Sequence, residues 1–516
     1  MALALILPAL ALFAIYLIAI VLYRLYLHPL AHFPGPKLAA ATGYYETYYD
    51  TLVSPGGQFA FKLRELHQKY GPIIRINPHE IHVFDTTFID AIYCGSSQRR
   101  RDKYPPTAHM VGTPQGCFGT ISHNVHRIRR GPVATFYSKV AVDRAESLIY
   151  TNARRLGHTI ERHISQDGFA EMRLATLAFS TDTLFAYSFD DKLAWNLLDN
   201  DKRAKDWSDT LHAVSEHIPI MRNFPWMMTF AKWSPPWLLQ AASPALARMT
   251  TLREMMNTQA VSAMASAAGK PQHEEAWTEE QPKLIPSILS SKSLPESEKT
   301  VLRLTEEGVE SVSAGTDTIS RTLTNTVYYI LSSPPTVLQR LQEELVSVMP
   351  QNDSSPPLKD LEKLTWLTAI IKEALRISAL TTSRLPLICP DQTLYYEKWA
   401  IPKGTPVGLT PFYMLRDPSI FERPEEFLPE RWLPGNPDLD RINHYYIPFN
   451  RGSRMCLGQH LAMAEIYIAL AVLFRCYKFE LYDVVYERDI ELIRNCFAGE
   501  VSKESPGVRI RMETDA

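Results

Sequence analysis

A cysteine loop set directly against an apolar helical run constrains this chain more than any other stretch. The segment Phe449-Asn450-Arg451-Gly452-Ser453-Arg454-Met455-Cys456-Leu457-Gly458 leads into Leu461, Ala462, Ala464, Ile466 and the run from Ile468 to Leu473. The amides that open the following helix, and the positive end of its dipole, favour a thiolate at Cys456. A thiolate can ligate iron. Gly452 and Gly458 allow conformations and close approaches that a Cβ would block, and Arg454 sets a fixed cation two residues from the sulfur. A lone buried thiol in a glycine-containing loop is the plainer account of a cysteine, and it is the density of the surrounding pattern that speaks for a metal ligand.

The rest of the chain is that of a globular enzyme with one exceptional end. Of 516 residues, 46% are hydrophobic and 21% charged, and the formal net charge of -2 gives no global attraction to nucleic acid. The six cysteines include no Cys-x-x-Cys pair, which speaks against a zinc ribbon or a disulfide scaffold. From Met1 to Tyr23 there is no charged residue, and a helix of that length rises about 35 Å, enough to cross a bilayer. Arg24, His28 and Lys37 follow this stretch and none precedes it, so the positive-inside bias keeps the downstream chain cytosolic and the amino terminus lumenal. A cleaved signal is the alternative, because Ala9-Leu10-Ala11 can mimic a cleavage site. The sequon Asn352-Asp353-Ser354 is expected to stay unglycosylated. The segment His32-Phe33-Pro34-Gly35-Pro36 breaks helix and reads as a hinge. The expected layout is an anchor over 1–27, a proline-rich hinge over 28–40 and one catalytic domain over 41–516.

Along that domain, 73–76 and 81–84 read as a hairpin, and 95–121 as a long loop of the kind that is usually functional. The stretches 144–163, 171–187 and 202–217 read as scaffold helices. The stretch 219–244 crowds Met221, Phe224, Trp226, Met227, Met228, Phe230, Trp233, Trp237 and Leu238 among prolines, which suggests a membrane-contacting lid or access channel, with a buried connector as the alternative. The stretch 268–283 reads as an exposed linker. His126 and Arg130 are four apart on one helical face and can reach the same anion. Within the helix expected over 301–332, Gly315 costs about 1 kcal/mol relative to alanine and Asp317 beside Thr318 is a poor filler for a buried centre. Helical spacing sets Glu310, Ala314 and Thr318 on one stripe, so Glu310 either looks towards a substrate or turns to solvent or a basic side chain. Glu373 and Arg376 are three apart on the helix 366–379, and Arg431 follows in Pro429-Glu430-Arg431-Trp432.

The pattern Phe449-x-x-Gly452-x-Arg454-x-Cys456-x-Gly458 resembles the haem-binding loop of the cytochrome P-450 monooxygenases at every defining position. The resemblance runs over nearly the whole chain after the anchor, and Tyr23 to Leu30 is similar to fungal microsomal members of secondary metabolism. It implies a mainly α fold with a small β-rich side, preceded by one transmembrane helix in the endoplasmic reticulum membrane. It further implies haem with Cys456 as the axial ligand. Arg130 and Arg384 are implied as propionate ligands, with His126 where the family usually has tryptophan. The segment Ala314-Gly315-Thr316-Asp317-Thr318 is similar to the family's Ala-Gly-x-Asp-Thr motif: the glycine lets the helix deform over the iron, Thr318 positions water and the oxygen substrate, and Asp317 brings protons. Ile319 stands where the family often has a hydroxyl residue. Glu373, Arg376 and Arg431 are implied as a buried lock behind the haem, and Phe118, Leu380, Thr381, Leu385 and Phe497 as pocket walls, together with His109, Met110, Val111 and Thr382 in the same segments.

The implied reaction inserts one atom of dioxygen into an apolar substrate by hydroxylation, epoxidation or repeated oxidation, with a terpenoid expected first and a polyketide-derived scaffold second. No dinucleotide fingerprint occurs in the chain, so NADPH and flavins act through a partner reductase, with cytochrome b5 as a further donor; Arg127 and Arg129 are candidates for docking it. A haem-thiolate isomerase, dehydratase or peroxygenase needing no reductase, or a haem carrier, is the alternative, and the Asp317–Thr318 pair argues against it.

Overall fold

The computed structural model describes residues 2–95, 99–227, 233–268 and 283–513; most of the expected linker, together with Met228 and Phe230, lies outside them. Helices dominate, in the order the hydrophobic periodicity implies. Glu146–Asp167 and Met172–Ser188 pack on each other, Val301–Ser332 lies across the second, and Thr365–Ser378 and Gln459–Cys476 complete the group. Met172–Ser188 is buried along most of its length because neighbours cover it on more than one side. Its start is fixed by Glu171, whose carboxylate accepts from the amides of Arg173 (2.8 Å) and Leu174 (2.7 Å). Thr300 likewise caps Val301–Ser332 through the Arg303 amide. One hydrophobic core runs from Leu30 to Ile510.

The small β side is a five-stranded sheet in the order Ile73–Arg75, Ile81–Val83, Pro406–Gly408, Leu387–Ile388 and Asp102–Lys103. The first pair is the expected hairpin, with Ile73 opposite Val83. The region 95–121 is less of a loop than expected: Asp102–Lys103 pairs with Leu387–Ile388, and Pro105–His109 forms a short helix. A second hairpin, Arg494–Cys496 with Ala498–Glu500, turns Phe497 inward at φ 78°.

Among the described residues, two helices are long and apolar enough to cross a membrane. Gln459–Cys476 has 67% of its apolar window buried and is a core helix; Pro8–Leu27 has 0% buried and stands off the body. The proline segment after it is fastened down: the Arg75 amide donates to the Pro34 carbonyl at 2.7 Å. The Phe33 ring stacks on Trp399 at 5.1 Å, and a Cβ at Gly35 would fall 2.4 Å from the Arg75 carbonyl oxygen. In the segment beyond the Asp201–Asn223 helix, Trp226, Trp233, Trp237 and Leu238 are exposed, which is not the burial of a core connector.

Candidate active site

The cysteine loop is wrapped by backbone bonds. The Cys456 amide donates to the Phe449 carbonyl at 2.9 Å and the Ser453 amide to the Cys94 carbonyl at 3.3 Å. Gly452, at φ 77°, sits so close to this neighbour that a Cβ would fall 2.6 Å from the Cys94 oxygen, so glycine is required there. At Gly458 a Cβ would meet nothing within 4 Å; its role is open space above the loop. Cys456 is accessible by area although protein surrounds it. Those two facts together describe a thiol facing an internal cavity. Burial pushes that thiol up, against the opposing pull of the Gly458 amide and Arg130; in the protein alone desolvation therefore outweighs the helix-terminus effect, and a metal is what makes the thiolate.

Within Val301–Ser332, Ala314 and Thr318 are exposed while the neighbouring positions Val312, Thr316, Ile319 and Ser320 are buried. They form an open stripe one turn long, and the Thr318 hydroxyl donates to the Ala314 carbonyl at 2.8 Å, leaving its lone pairs free. The helix runs unbroken through Gly315. A Cβ there would fall 3.1 Å from a Leu184 methyl group, which would have to give by a few tenths of an ångström, so close packing of two helices is one reason for glycine at this position. Asp317 points away from the stripe into an ion network. Arg173 donates to it at 2.9 Å and Arg321 at 2.7 Å, and both arginines also pair with Glu500. Burial raises the Asp317 carboxyl, but Arg321 and Arg173 outweigh it and hold the acid below its ordinary range.

A set of cations closes one side. Arg454 donates to the carbonyls of Thr120 (2.6 Å) and Ile121 (2.7 Å), Arg130 to that of Met455 (2.8 Å), and Lys103 to that of Phe118 (2.8 Å). None of the three cations forms an ion pair with a carboxylate among the described residues. Arg454 Nε and His126 Nδ1 are buried without a partner. Burial, then Arg454 and Arg130, drive His126 down to about 2; burial takes Arg454 to about 10 and, with Arg454 beside it, lowers Lys103. Cations this close, with buried donors unused and no ion pair to a carboxylate among the described residues, suit an anionic group such as a pair of propionates. Together with the sulfur, the open Gly458 and the Ala314–Thr318 stripe, they fit haem. Lys103 was not among the residues the sequence singled out: a solitary lysine in a loop carries no local signal.

Two expected residues are elsewhere. Arg384 is not free for a propionate: it donates to Glu80 at 2.6 and 2.9 Å and to Glu46 at 2.9 and 2.7 Å, using four of its five N–H groups. Glu310 is part-exposed and lies near Lys103, but its carboxylate is spent on the loop 113–119. It accepts from the Thr113 hydroxyl (2.7 Å) and the amides of Phe118 (2.9 Å) and Gly119 (3.1 Å). Glu306 and Glu307 hold the same loop through the amides of Gln115 and Cys117. Burial, then the charge of Glu307, raise the Glu310 carboxyl to about 8.

The wall segments do converge. The Phe118 and Phe497 rings meet edge to face at 6.0 Å and 89°. Thr382 and Ser383 donate to Asn495 Oδ1 at 2.8 and 2.9 Å, Ser383 N to the Phe497 carbonyl, and Thr381 bridges Ala498. Leu380, Thr381, Leu385, Phe118 and Phe497 are all part-exposed in a buried setting. Behind the cysteine loop, Arg376 grips Glu373 with two bonds of 2.8 and 2.9 Å, and Arg431 reaches the same carboxylate at 3.1 Å. Trp432 Nε1 (2.8 Å) and the Leu428 amide (3.0 Å) complete it.

Residues 48–496 match the cytochrome P450 family. A tryptophan 6-hydroxylase of Fusarium equiseti is 37% identical, over 95% of this chain and 93% of that protein. A cytochrome P450 monooxygenase of Ascocoryne sarcoides is 36% identical over 96% of each chain. An N-acetyltryptophan 6-hydroxylase of Emericella nidulans is 36% identical over 98% of each. The chain thus belongs to the cytochrome P450 family: it is a haem-thiolate monooxygenase, similar over nearly its whole length to fungal enzymes.

Proposed function

We propose that this monooxygenase hydroxylates a flat aromatic substrate of the indole type in a secondary-metabolic sequence. The observation that carries this reading is the edge-to-face pair of Phe118 and Phe497, two rings from segments far apart in the chain that meet in the wall region; such faces favour an aromatic guest. Two relatives named as hydroxylases of tryptophan and N-acetyltryptophan support the same class. The terpenoid and polyketide scaffolds that the resemblance suggested first are the competing substrate classes.

Haem held by Cys456 supplies the activation of dioxygen. The chain's own residues bind and protonate. Arg130, Arg454, His126 and Lys103 would hold the two propionates; Phe449, Gly452 and Gly458 shape the loop, and Ala314 leaves room beside the oxygen substrate. The Thr318 hydroxyl positions water, and Asp317, kept ionised by Arg173 and Arg321, passes protons inward. The balance is one aromatic C–H, one dioxygen, two electrons from NADPH and two protons giving one phenol and one water. A flavoprotein reductase supplies the electrons from the cysteine side. The segment 1–27 anchors the domain in the endoplasmic reticulum membrane, 28–40 fixes its pose, and 41–516 forms the catalytic domain on the cytosolic face.

The test is expression with a reductase and feeding of tryptophan, N-acetyltryptophan, a sesquiterpene and an aromatic polyketide. Reductase-dependent hydroxylation of an indole supports the reading. Turnover of the terpene alone removes it, and product without reductase moves the protein to the peroxygenase or isomerase class.

A further inference from the structure

A second group of cations lies far from the haem residues, where the apolar helix meets the body. Arg75 is 2% exposed. Its Nη1 donates to the Arg24 backbone carbonyl and its Nη2 to that of Pro78, both at 2.7 Å, while Nε is buried without a partner. Arg24 Nη1 donates to the Ala41 carbonyl at 2.8 Å, and the rings of His28 and His79 lie 5.7 Å apart beside them. Neither guanidinium forms an ion pair among the described residues. The charged groups acting on His28 are Arg75, His79 and Arg24, and the one acting on Arg75 is Arg24; all are basic. Burial and these neighbours lower His28 to about 4 and Arg75 to about 10, so Arg75 stays charged at neutral pH and His28 does not; burial, then Arg24 and Arg75, lowers His79 as well.

A buried guanidinium with no counter-charge is costly unless an anion reaches it. The position says which anion. Arg24 stands in the π-helical turn Tyr23–Leu27 that directly continues the apolar helix Ala2–Leu22. Tyr23, Tyr26, Leu27 and Leu38 are exposed around it. Exposed tyrosines at the end of an apolar span sit at headgroup level, where the negative surface potential is greatest.

We propose that Arg24 and Arg75, flanked by His28 and His79, form a binding site for the phosphate of an anionic phospholipid at the foot of the apolar helix. The bound headgroup ties helix and body together, because Arg75 belongs to the first strand of the sheet and Arg24 to the helix. This rests on the reading of that helix as a retained anchor.

The experiment uses the full-length, haem-loaded protein in neutral detergent, titrated by calorimetry with dioctanoyl phosphatidic acid, dioctanoyl phosphatidylcholine and inorganic phosphate, alongside its intact mass. Saturable binding of phosphatidic acid is expected, at least about fivefold tighter than phosphatidylcholine and about fivefold weaker in Arg75→Gln, the ratio one cation near a headgroup is worth. The double variant Arg24→Gln/His79→Gln, at more accessible positions, is expected to weaken it similarly with an unchanged reduced carbon-monoxide spectrum; it decides the matter if Arg75→Gln does not fold. Unchanged affinity in the folded variants overturns the site while leaving the anchor standing. Equal binding of inorganic phosphate overturns the lipid as ligand. An intact mass that lacks the first helix overturns the anchor, and the lipid source with it.

Discussion

The Phe118 amide donates to Glu310 at 2.9 Å, so the helix that presents Thr318 also holds the aromatic ring facing Phe497. Glu310→Ala removes the acceptor of three hydrogen bonds, each worth about 0.5–1.5 kcal/mol. KM is expected to rise about tenfold or more and the product pattern to broaden, while the haem spectrum stays the same. Steady-state kinetics with product analysis check this; a variant with the parent's KM and product ratio refutes the role.

The same carboxyl gives a pH signature. Its folded-state value is raised to about 8, by burial and then Glu307, above the ordinary value of 4.5. The acid form is therefore favoured by folding. That contribution is complete below about pH 4.5 and is lost as pH rises through about 8. The difference in melting temperature, Glu310→Gln minus parent, should grow more positive from pH 5 to pH 8.5. A flat difference means that Glu310 does not titrate in this window.

Thr318 bonds only within its own helix, at Ala314, and faces the cavity. Thr318→Ala should thus leave the melting temperature within about 1–2 °C, since changes that break no buried contact stay near ±0.5 kcal/mol. Product formed per NADPH is expected to fall about 100-fold, the bottom of the range for losing a proton-transfer partner. Coupled oxygen and NADPH measurements distinguish this from weaker substrate binding.

Arg384 and Arg454 separate the two kinds of buried arginine. Arg384→Ala strands Glu80 and leaves Glu46 to Arg222 alone, and should cost about 3–5 kcal/mol of stability, with the haem dissociation rate of the folded fraction unchanged. Arg454→Ala should speed haem loss, with a smaller effect on the apoprotein. Haem transfer to apomyoglobin, read beside denaturant titrations, tests the pair, and the reverse assignment would restore Arg384 as a propionate ligand.

Glu373 accepts from Arg376, Arg431, Trp432 and Leu428. Glu373→Gln keeps its shape but leaves two buried guanidiniums without a charge, and about 3–5 kcal/mol is the expected loss. Low haem content on purification and a depressed melting temperature are the readouts. Arg431→Lys, which keeps the charge, should be milder.

What could be read from the sequence divides by contact range. The Glu373–Arg376 grip is a three-residue spacing and the Ala314–Thr318 stripe a four-residue one, so periodicity alone placed them. The cysteine loop is local too. Arg384 and Glu310 went astray because their partners lie 338 and 304 residues away in one case and about 190 in the other; nothing near either residue announces them. The same holds for Lys103, whose strand exists only because Leu387–Ile388 pairs with it. Gly315 was read for chemistry, whereas one reason for it is Leu184 on a neighbouring helix.

Asn495 gives the pocket an asymmetry. By joining Thr382 and Ser383 to the tip that carries Phe497, it makes one fixed jaw out of two segments more than a hundred residues apart. The opposite jaw, Phe118, hangs from a carboxylate. A bulkier guest is then accommodated on the Phe118 side, and changes of substrate size in this enzyme should be sought in residues 113–119 before the hairpin is touched.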